Sequence, residues 1–319
     1  MNPLSAIYAA GVRLRNESYD RGVLVSRKLS APVISVGSIS AGGAGKTPFV
    51  IFLGEFLEAH GVRFDVLSRG YGRKSRGVRV VERGGSPAEY GDEPLLITRR
   101  LGCPVIVGEN RFEAGLLAET QFGAQVHLLD DGFQHRALAR DLNVVLVTAD
   151  DLADTLLPIG RLREPVRALE RADVIALEEG VDGARVPANP KRVWRVRRGI
   201  RLPGRAQAPV VFCGVARPKR FFDQLGAIGV RAVAHQAYSD HHAYTRDDVE
   251  ALLQLARGHK ADGFITTEKD VINLGEGIGR LGDVTVAQVT LEIEPADAFD
   301  ALLGLLAPGE PPHEKIRSQ

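Results

Sequence analysis

Cysteine is nearly absent: the 319 residues hold two, Cys103 and Cys213, far apart and in no metal-type spacing. That excludes a disulfide scaffold and a cysteine-ligated metal centre, and it suits a reducing compartment. No apolar run approaches the roughly 20 residues of a bilayer span, and the first 20 residues lack the continuous apolar core of a signal peptide, so a cytoplasmic chain is expected. Excess charge is absent too. With 41 Lys and Arg against 40 Asp and Glu, the formal net charge is +1, which gives no global pull toward nucleic acid. No nucleic-acid partner is expected, and no obligate protein partner is evident. No Asn-Lys-x-Asp occurs, which argues against a guanine-reading switch or metal-insertion chaperone. What remains is a globular composition, 44% hydrophobic and 25% charged, long enough for two domains.

The richest stretch runs from Pro32 to Pro48. A β-branched strand empties into a glycine-rich loop, which ends in Gly45-Lys46-Thr47 ahead of an apolar helical pattern. That order describes a phosphate cradle: Ser40, Ala41, Gly42, Gly43, Ala44 and Gly45 turn backbone N–H groups toward one anion, and the following helix adds its positive end. Lys46 can reach β- and γ-phosphates, and Thr47 can hold Mg²⁺. The first position of the usual G-x-x-x-x-G-K-[ST] pattern is Ser40, so the match is incomplete at that end.

Downstream, strands are expected at 64–68, 78–82, 104–107, 126–129, 142–147 and 173–177, with helices over 49–57, from 91 and over 110–120. Strands apolar on both faces and alternating with helices mean an α/β fold, a phosphate-loop NTPase-like parallel sheet covered on both sides, with ligands at the carboxyl ends of the strands. After a Pro-rich stretch a smaller α/β unit is expected, with strands at 193–197, 210–214, 263–266 and 284–289 and helices at 221–225, 247–256 and 296–306. The expected division is residues 1–190 and 191–319.

Several clusters could carry chemistry. Asp130 and Asp131 follow an apolar strand, where a carboxylate can bind Mg²⁺; an Asp-Gly turn is the plainer reading, and which of the two would touch the ion stays open. Asp92 lies at an expected helix start, as an N-cap or as a base for a substrate hydroxyl. In Asp240-His241-His242 an acid could orient an imidazole; as a zinc site the segment is weak. Arg161 and Arg163 could face transferring phosphate, and Arg69, Arg73, Lys74, Arg76 and Arg79 an anionic surface. At the N-terminus, Asn2 and Pro3 can open a helix with Leu4, Ile7, Tyr8, Gly11 and Leu14 on one face, either for a membrane interface or for packing on its own domain.

Together these residues resemble the tetraacyldisaccharide 4'-kinase family, the lipid A 4'-kinases. The likeness rests on Val36-Gly37 through Thr47-Pro48, Ser68 to Arg73, Gly91-Asp92-Glu93-Pro94, Leu129 to His135, Leu162 to Pro165, Phe212 to Pro218, Asp240-His241-His242 and Thr266 to Asp270. It covers roughly residues 1 to 275. Where many members show Asn after Val-Gly, this chain has Ser38. The resemblance implies transfer of the ATP γ-phosphate, with Mg²⁺, to the 4'-hydroxyl of an acylated glucosamine disaccharide 1-phosphate, by a peripheral protein on the cytoplasmic face of the inner membrane. It further implies Lys46 and Thr47 on ATP and metal, Asp92 as base paired with His241, Asp130, Asp131, Glu164 and Gln134 around metal and phosphates, and Arg111 and Arg163 on phosphate. Because His241 lies in the second unit and Lys46 in the first, closure of one unit on the other is the expected way to assemble the site and exclude water. A non-catalytic membrane-surface binding protein is the rival, and it would have no need of Lys46, Asp92 and Asp130 together.

Overall fold

The computed structural model describes residues 3–186, 192–204 and 206–295, with Ala298, Phe299, Leu302 and Gly304 beyond them. The strands are β1 (Val33–Ser38), β2 (Phe64–Ser68), β3 (Arg79–Val80), β4 (Val105–Val107), β5 (Val126–Asp130), β6 (Leu142–Val147), β7 (Val174–Glu178), β8 (Arg192–Arg201), β9 (Val210–Cys213), β10 (Ala234–Ala237), β11 (Phe264–Thr267) and β12 (Val284–Glu294). The helices are α1 (Pro3–Asp20), α2 (Lys46–Ala59), α3 (Pro87–Tyr90), α4 (Asp92–Arg100), α5 (Arg111–Phe122), α6 (Pro218–Ala227), α7 (Arg246–His259), α8 (Glu268–Leu274) and α9 (Ile278–Leu281).

The strands join in one sheet of order β10-β9-β11-β12-β8-β7-β6-β1-β5-β2-β4-β3. From β8 to β4 the pairing is parallel, with β3 antiparallel at the edge. Every residue of β1, β2, β5 and β6 is buried, as a sheet covered on both faces requires. The long β8 and β12 pair antiparallel, Arg201 against Gln288 through Arg195 against Glu294, and β12 continues parallel to β11. That ribbon carries the sheet from the first half of the chain into the second.

α2 is amphipathic toward the sheet and buries Phe49, Val50, Ile51, Leu53 and Leu57. Phe49 stacks on Trp194 of β8 at 6.3 Å, which fixes the ribbon beside the phosphate loop. Both cysteines are free thiols, Cys213 buried and Cys103 half-buried, in keeping with their expected role as small packing residues.

Some expectations change. The strand at 78–82 contracts to two residues. β10 and α8 had no clear periodicity, being short and half polar. The closing helix expected at 296–306 lies largely outside the described residues, as does Asn2. α1 is longer than its apolar pattern, and it packs through its polar side: Ser5 Oγ donates to the Leu156 carbonyl at 3.1 Å and Tyr8 Oη to that of Arg163 at 3.1 Å. Leu4, Ile7 and Leu14 remain exposed, as do Val23 and Val25 just after the helix. Among the described residues no helix is long and apolar enough to cross a membrane.

Candidate active site

The loop after β1 turns through three left-handed glycines, Gly42 (φ 68°), Gly43 (φ 73°) and Gly45 (φ 84°). Gly45 is the N-cap of α2 and offers no side chain to its amides, so the first-turn N–H groups are left for an anion. Among the described residues none of the amides from Gly42 to Gly45 meets an acceptor. Ala41 is different. Its N–H donates to the Arg161 carbonyl at 2.8 Å, so the run of open amides begins at Gly42, two residues after the expected start at Ser40. Ser40 Oγ is buried without a partner, and Ala44 is buried against the core. Thr47 is buried at the second position of the helix.

Lys46 Nζ lies 3.5 Å from Asp131 Oδ1 and 3.4 Å from Ser38 Oγ. Asp131 has a left-handed backbone (φ 50°), and Arg163 grips its carboxylate with two hydrogen bonds, of 2.8 and 2.6 Å. Arg163 Nε also donates to the Ser40 carbonyl at 3.1 Å, tying the two loops together. Burial opposes ionisation of Asp131, but Lys46 and Arg163 overcome it and hold its carboxyl well below the usual carboxylate range. Asp130, the last residue of β5, behaves in the opposite way: burial, then the charges of Glu93 and Asp131, push it up to about 7. Its Oδ2 accepts from Ser68 Oγ at 3.2 Å, while Oδ1 is buried with no partner. Gln134 Nε2 donates to the Ser38 carbonyl at 2.9 Å and leaves its Oε1 buried and unmatched.

These orphaned oxygens, beside Thr47 and the cradle, suit a hard cation that keeps phosphate and water ligands. Among the described residues no three His, Cys, Asp or Glu converge into a full protein-only metal cage. Glu164 stands apart from the metal set implied for it. It is fully buried, its two oxygens accept from Arg171 at 2.9 Å each, and Asn16 Nδ2 adds a third bond at 2.7 Å. These three bonds anchor α1 to the loop after β6. Arg111 opens α5, is buried, and donates to the Glu109 carbonyl at 3.0 Å, with Nε unmatched. Burial and then Arg69 pull its pKa down to about 10. His135 nearby falls to about 4 through burial and the charges of Arg111, Arg140, Arg69 and Arg15.

Asp92 is brought to the same region from the other side. It is the first residue of α4 and not its N-cap: Gly91 (φ 90°) takes that place, because only a glycine passes the Tyr71 carbonyl, 2.8 Å from where a Cβ would stand. The Asp92 carboxylate keeps one first-turn amide, accepting from Glu93 N–H at Oδ1 at 2.8 Å, and has capacity for further partners. His241 Nδ1 lies 2.9 Å from both its oxygens, and Asn273 Nδ2 donates to Oδ2 at 3.0 Å. Burial alone pushes Asp92 up; the His241 bond, the Lys269 charge and Asn273 outweigh it, so its pKa ends below the usual value. Burial likewise pushes His241 down, and the Asp92 bond more than reverses that.

Lys269 completes the cluster. Its Nζ is 3.0 Å from Asp240 Oδ1, 3.3 Å from His241 Nε2 and 3.8 Å from Asp92 Oδ2 and Glu93 Oε1. An ammonium facing Nε2 assigns the donor N–H of His241 to Nδ1, toward Asp92. The neighbouring His242 turns away, bonding Asp248 at 3.0 Å and stacking on Tyr238, so the two histidines do not converge on one ion. Lys269 and Asn273 were not singled out individually. Lys269 sits inside the Thr266–Asp270 motif, but only the formation of α8 sets Asn273 one turn later on the same face.

A cleft of about 530 Å³ joins the two clusters, with Gly42, Gly43, Lys46 and Thr47 on one wall and Asp240, His241 and Lys269 on another. An anion cradle, a lysine at its lip and a cleft-lining imidazole paired with a buried carboxylate can bind a polyphosphate and orient a hydroxyl toward it.

Comparison with known proteins agrees with that chemistry. The tetraacyldisaccharide-1-P 4'-kinase family profile (LpxK) matches residues 1–307. A protein of Koribacter versatilis named tetraacyldisaccharide 4'-kinase is 46% identical over 308 residues, spanning 93% of this chain and 96% of its own. One of the same name from Geobacter metallireducens is 39% identical over 313 residues, spanning 91% and 92%. A crystal structure of LpxK from Aquifex aeolicus in complex with ATP superimposes with a TM-score of 0.75 at 32% identity, covering 95% of this chain and 96% of that one. The chain therefore belongs to the tetraacyldisaccharide-1-P 4'-kinase family and is an ATP-dependent kinase of lipid A biosynthesis.

Proposed function

We propose that the cleft transfers the γ-phosphate of ATP to the 4'-hydroxyl of a tetraacylated glucosamine disaccharide 1-phosphate, with Asp92 receiving the hydroxyl proton. The observation that carries this assignment is His241, which lines the same cleft as the phosphate loop and holds the buried Asp92 carboxylate at 2.9 Å. An Asp92 of lowered pKa is a weak base, which suffices because the acceptor proton need only leave late in phosphoryl transfer. Its main contribution is to aim the hydroxyl in line, while His241 fixes the carboxylate's orientation.

ATP would lie on the amides of Gly42 to Gly45, with Lys46 on its terminal phosphates. Mg²⁺ would be held by Thr47 and by Asp130 or Asp131, and would supply positive charge to neutralise the phosphates. Asp130 is the better inner ligand of the two, since it has an unmatched oxygen while Asp131 is clasped by Lys46 and Arg163. Glu164 is left out of the metal set for the reason given above. Arg163 would act through the Asp131 carboxylate that it holds, and Arg111 would take substrate phosphate directly.

The amphiphilic acceptor has a matching surface. The charges of Arg111, Arg140, Arg69 and Arg15 all act on His135, and α1 exposes Leu4, Ile7 and Leu14. Cations for a sugar phosphate beside side chains for acyl tails support peripheral attachment to the cytoplasmic face of the inner membrane. The test is to incubate purified protein with Mg-ATP and the acylated disaccharide monophosphate and weigh the lipid. A gain of one phosphate is expected; ATP consumption with unmodified lipid would overturn the assignment.

A further inference from the structure

Five buried guanidinium nitrogens around the phosphate loop have no acceptor among the described residues: Nε and Nη2 of Arg161, Nε of Arg198, and Nε and Nη2 of Arg217. Arg198 and Arg217 line the cleft, whose remaining arginines have partners, Arg220 with Glu178, Arg100 with Glu55 and Glu268, and Arg201 with Gln288. Arg217 has one ion pair, Nη1 to Asp150 at 2.9 Å. Buried donors are nearly always satisfied, and like charges are not pressed together without compensation. Here burial and the neighbouring Arg217 depress Arg198, while burial and Arg161 depress Arg217.

Each arginine meets a defined part of the loop. Arg217 lies across Gly43, where a Cβ would come within 2.8 Å of its Nε and 3.1 Å of its Cδ, and Ala216 Cβ would be 3.3 Å from a Cβ on Gly42. A Cβ on Gly45 would stand 3.6 Å from Arg198 Nη1. Arg161 is bound to the loop through its own carbonyl, on Ala41 N–H. The Gly42–Gly43 edge also faces Asp240, whose Oδ2 is 3.8 Å from a Gly42 Cβ, and Asp240 belongs to the Lys269–His241–Asp92 cluster. Arg217 therefore stands at the reacting end of the cradle and Arg198 at the far end.

We propose that Arg161, Arg198 and Arg217 form a collar on the ATP polyphosphate, with Arg198 and Arg217 delivered by the second half of the chain. Arg217 acts on the β–γ end, where charge accumulates in the transition state, as an arginine finger supplied in cis. Arg198 acts on the phosphates that ATP and ADP share. This rests on the nucleotide site assigned above, and it gives the β8–β12 ribbon and the start of α6 a role in the reaction.

The experiment measures Mg-ATP and Mg-ADP binding by calorimetry, and melting temperature with and without nucleotide, for the full chain and for Arg198→Gln and Arg217→Gln. No lipid is needed. Arg198→Gln should weaken ATP and ADP alike, by about 10- to 100-fold. Arg217→Gln should weaken ATP more than ADP and lower kcat on the lipid by about 10²- to 10³-fold, with Arg217→Lys restoring binding better than kcat because it keeps the charge without the fork. Nucleotide-free melting temperatures should hold or rise, since a repulsion has been removed. A Gln variant that does not melt cooperatively is replaced by its Lys counterpart, for which the same ordering of ATP and ADP losses is expected. Wild-type affinity for both nucleotides in variants that melt lower would make the arginines packing residues and overturn the proposal. Failure of the unaltered chain to bind either nucleotide would instead overturn the site assignment beneath it.

Discussion

Asp92 and His241 are 149 residues apart in the chain, and His241 Nδ1 stands 2.9 Å from each oxygen of the Asp92 carboxylate. One partner opens a helix of the first half and the other sits in a left-handed turn of the second (φ 58°). Their contact beside the cleft sets the first two predictions.

Asp92→Asn and Asp92→Ala should lower kcat by about 10²- to 10⁴-fold, the usual worth of a positioned acid–base group, while ATP affinity stays close to that of the unaltered chain. Phosphorylated-lipid formation and nucleotide binding, measured on the same preparations, check this. Equal losses in both would remove Asp92 from the base role.

The pH profile tests Lys269. Asp92 must be ionised to accept a proton, and its folded pKa lies below the ordinary carboxylate value, so the acid limb of kcat should fall below that value. Lys269 is one cause of the lowering. Lys269→Met removes that charge and leaves burial, which raises the pKa, so the acid limb should move to higher pH; Lys269→Arg should restore it. An unmoved limb in Lys269→Met would make Lys269 structural only.

Gly91 tests the aim of the carboxylate. At φ 90° and with the Tyr71 carbonyl 2.8 Å from a would-be Cβ, Gly91→Ala should cost about 1–3 kcal/mol of stability. It should reduce kcat by about 10²-fold, because a displacement on the order of 1 Å at the reacting group has that effect. Chemical denaturation and steady-state kinetics separate the two losses. A stability loss with unchanged kcat would show that Asp92 is placed by His241 and Asn273 alone.

Glu164 distinguishes an anchor from a metal ligand. It is buried between Arg171 and Asn16, and Glu164→Gln would leave the Arg171 charge without its partner, at about 3–5 kcal/mol. Thermal unfolding should show the loss while the Mg²⁺ dependence of turnover is unchanged. A raised Mg²⁺ requirement with intact stability would return Glu164 to the metal site.

The exposed face of α1 predicts lipid binding. Ile7→Asp with Leu14→Asp should weaken partition onto anionic vesicles by on the order of 10²-fold, given roughly 1.5 kcal/mol or more for each buried side chain. Nucleotide binding should be unaffected. Unchanged vesicle flotation would assign the face to another partner.

Much of this protein is written locally. The order strand, glycine loop, Lys46-Thr47 and helix depends on neighbours within a few residues, because backbone conformation and helix ends are short-range matters. The alternation of apolar strands and helices likewise specifies a covered parallel sheet. Where local signals were weak, in β10, α8 and the short β3, element identity came from packing against the rest of the sheet. Asp92 shows the limit at residue level: a carboxylate at a helix start reads as a cap, and it does accept the Glu93 N–H, but only the tertiary fold brings His241 onto the same carboxylate. Glu164 shows the converse, an acid in a suggestive motif whose oxygens are taken by Arg171 and Asn16 from distant elements. The motifs alone determined the chemistry available to the chain, phosphate binding opposite a carboxylate. Tertiary structure decided which groups face one another, since pairing at 3 Å between residues about 150 apart in sequence depends on the shared sheet, and no local pattern encodes that distance.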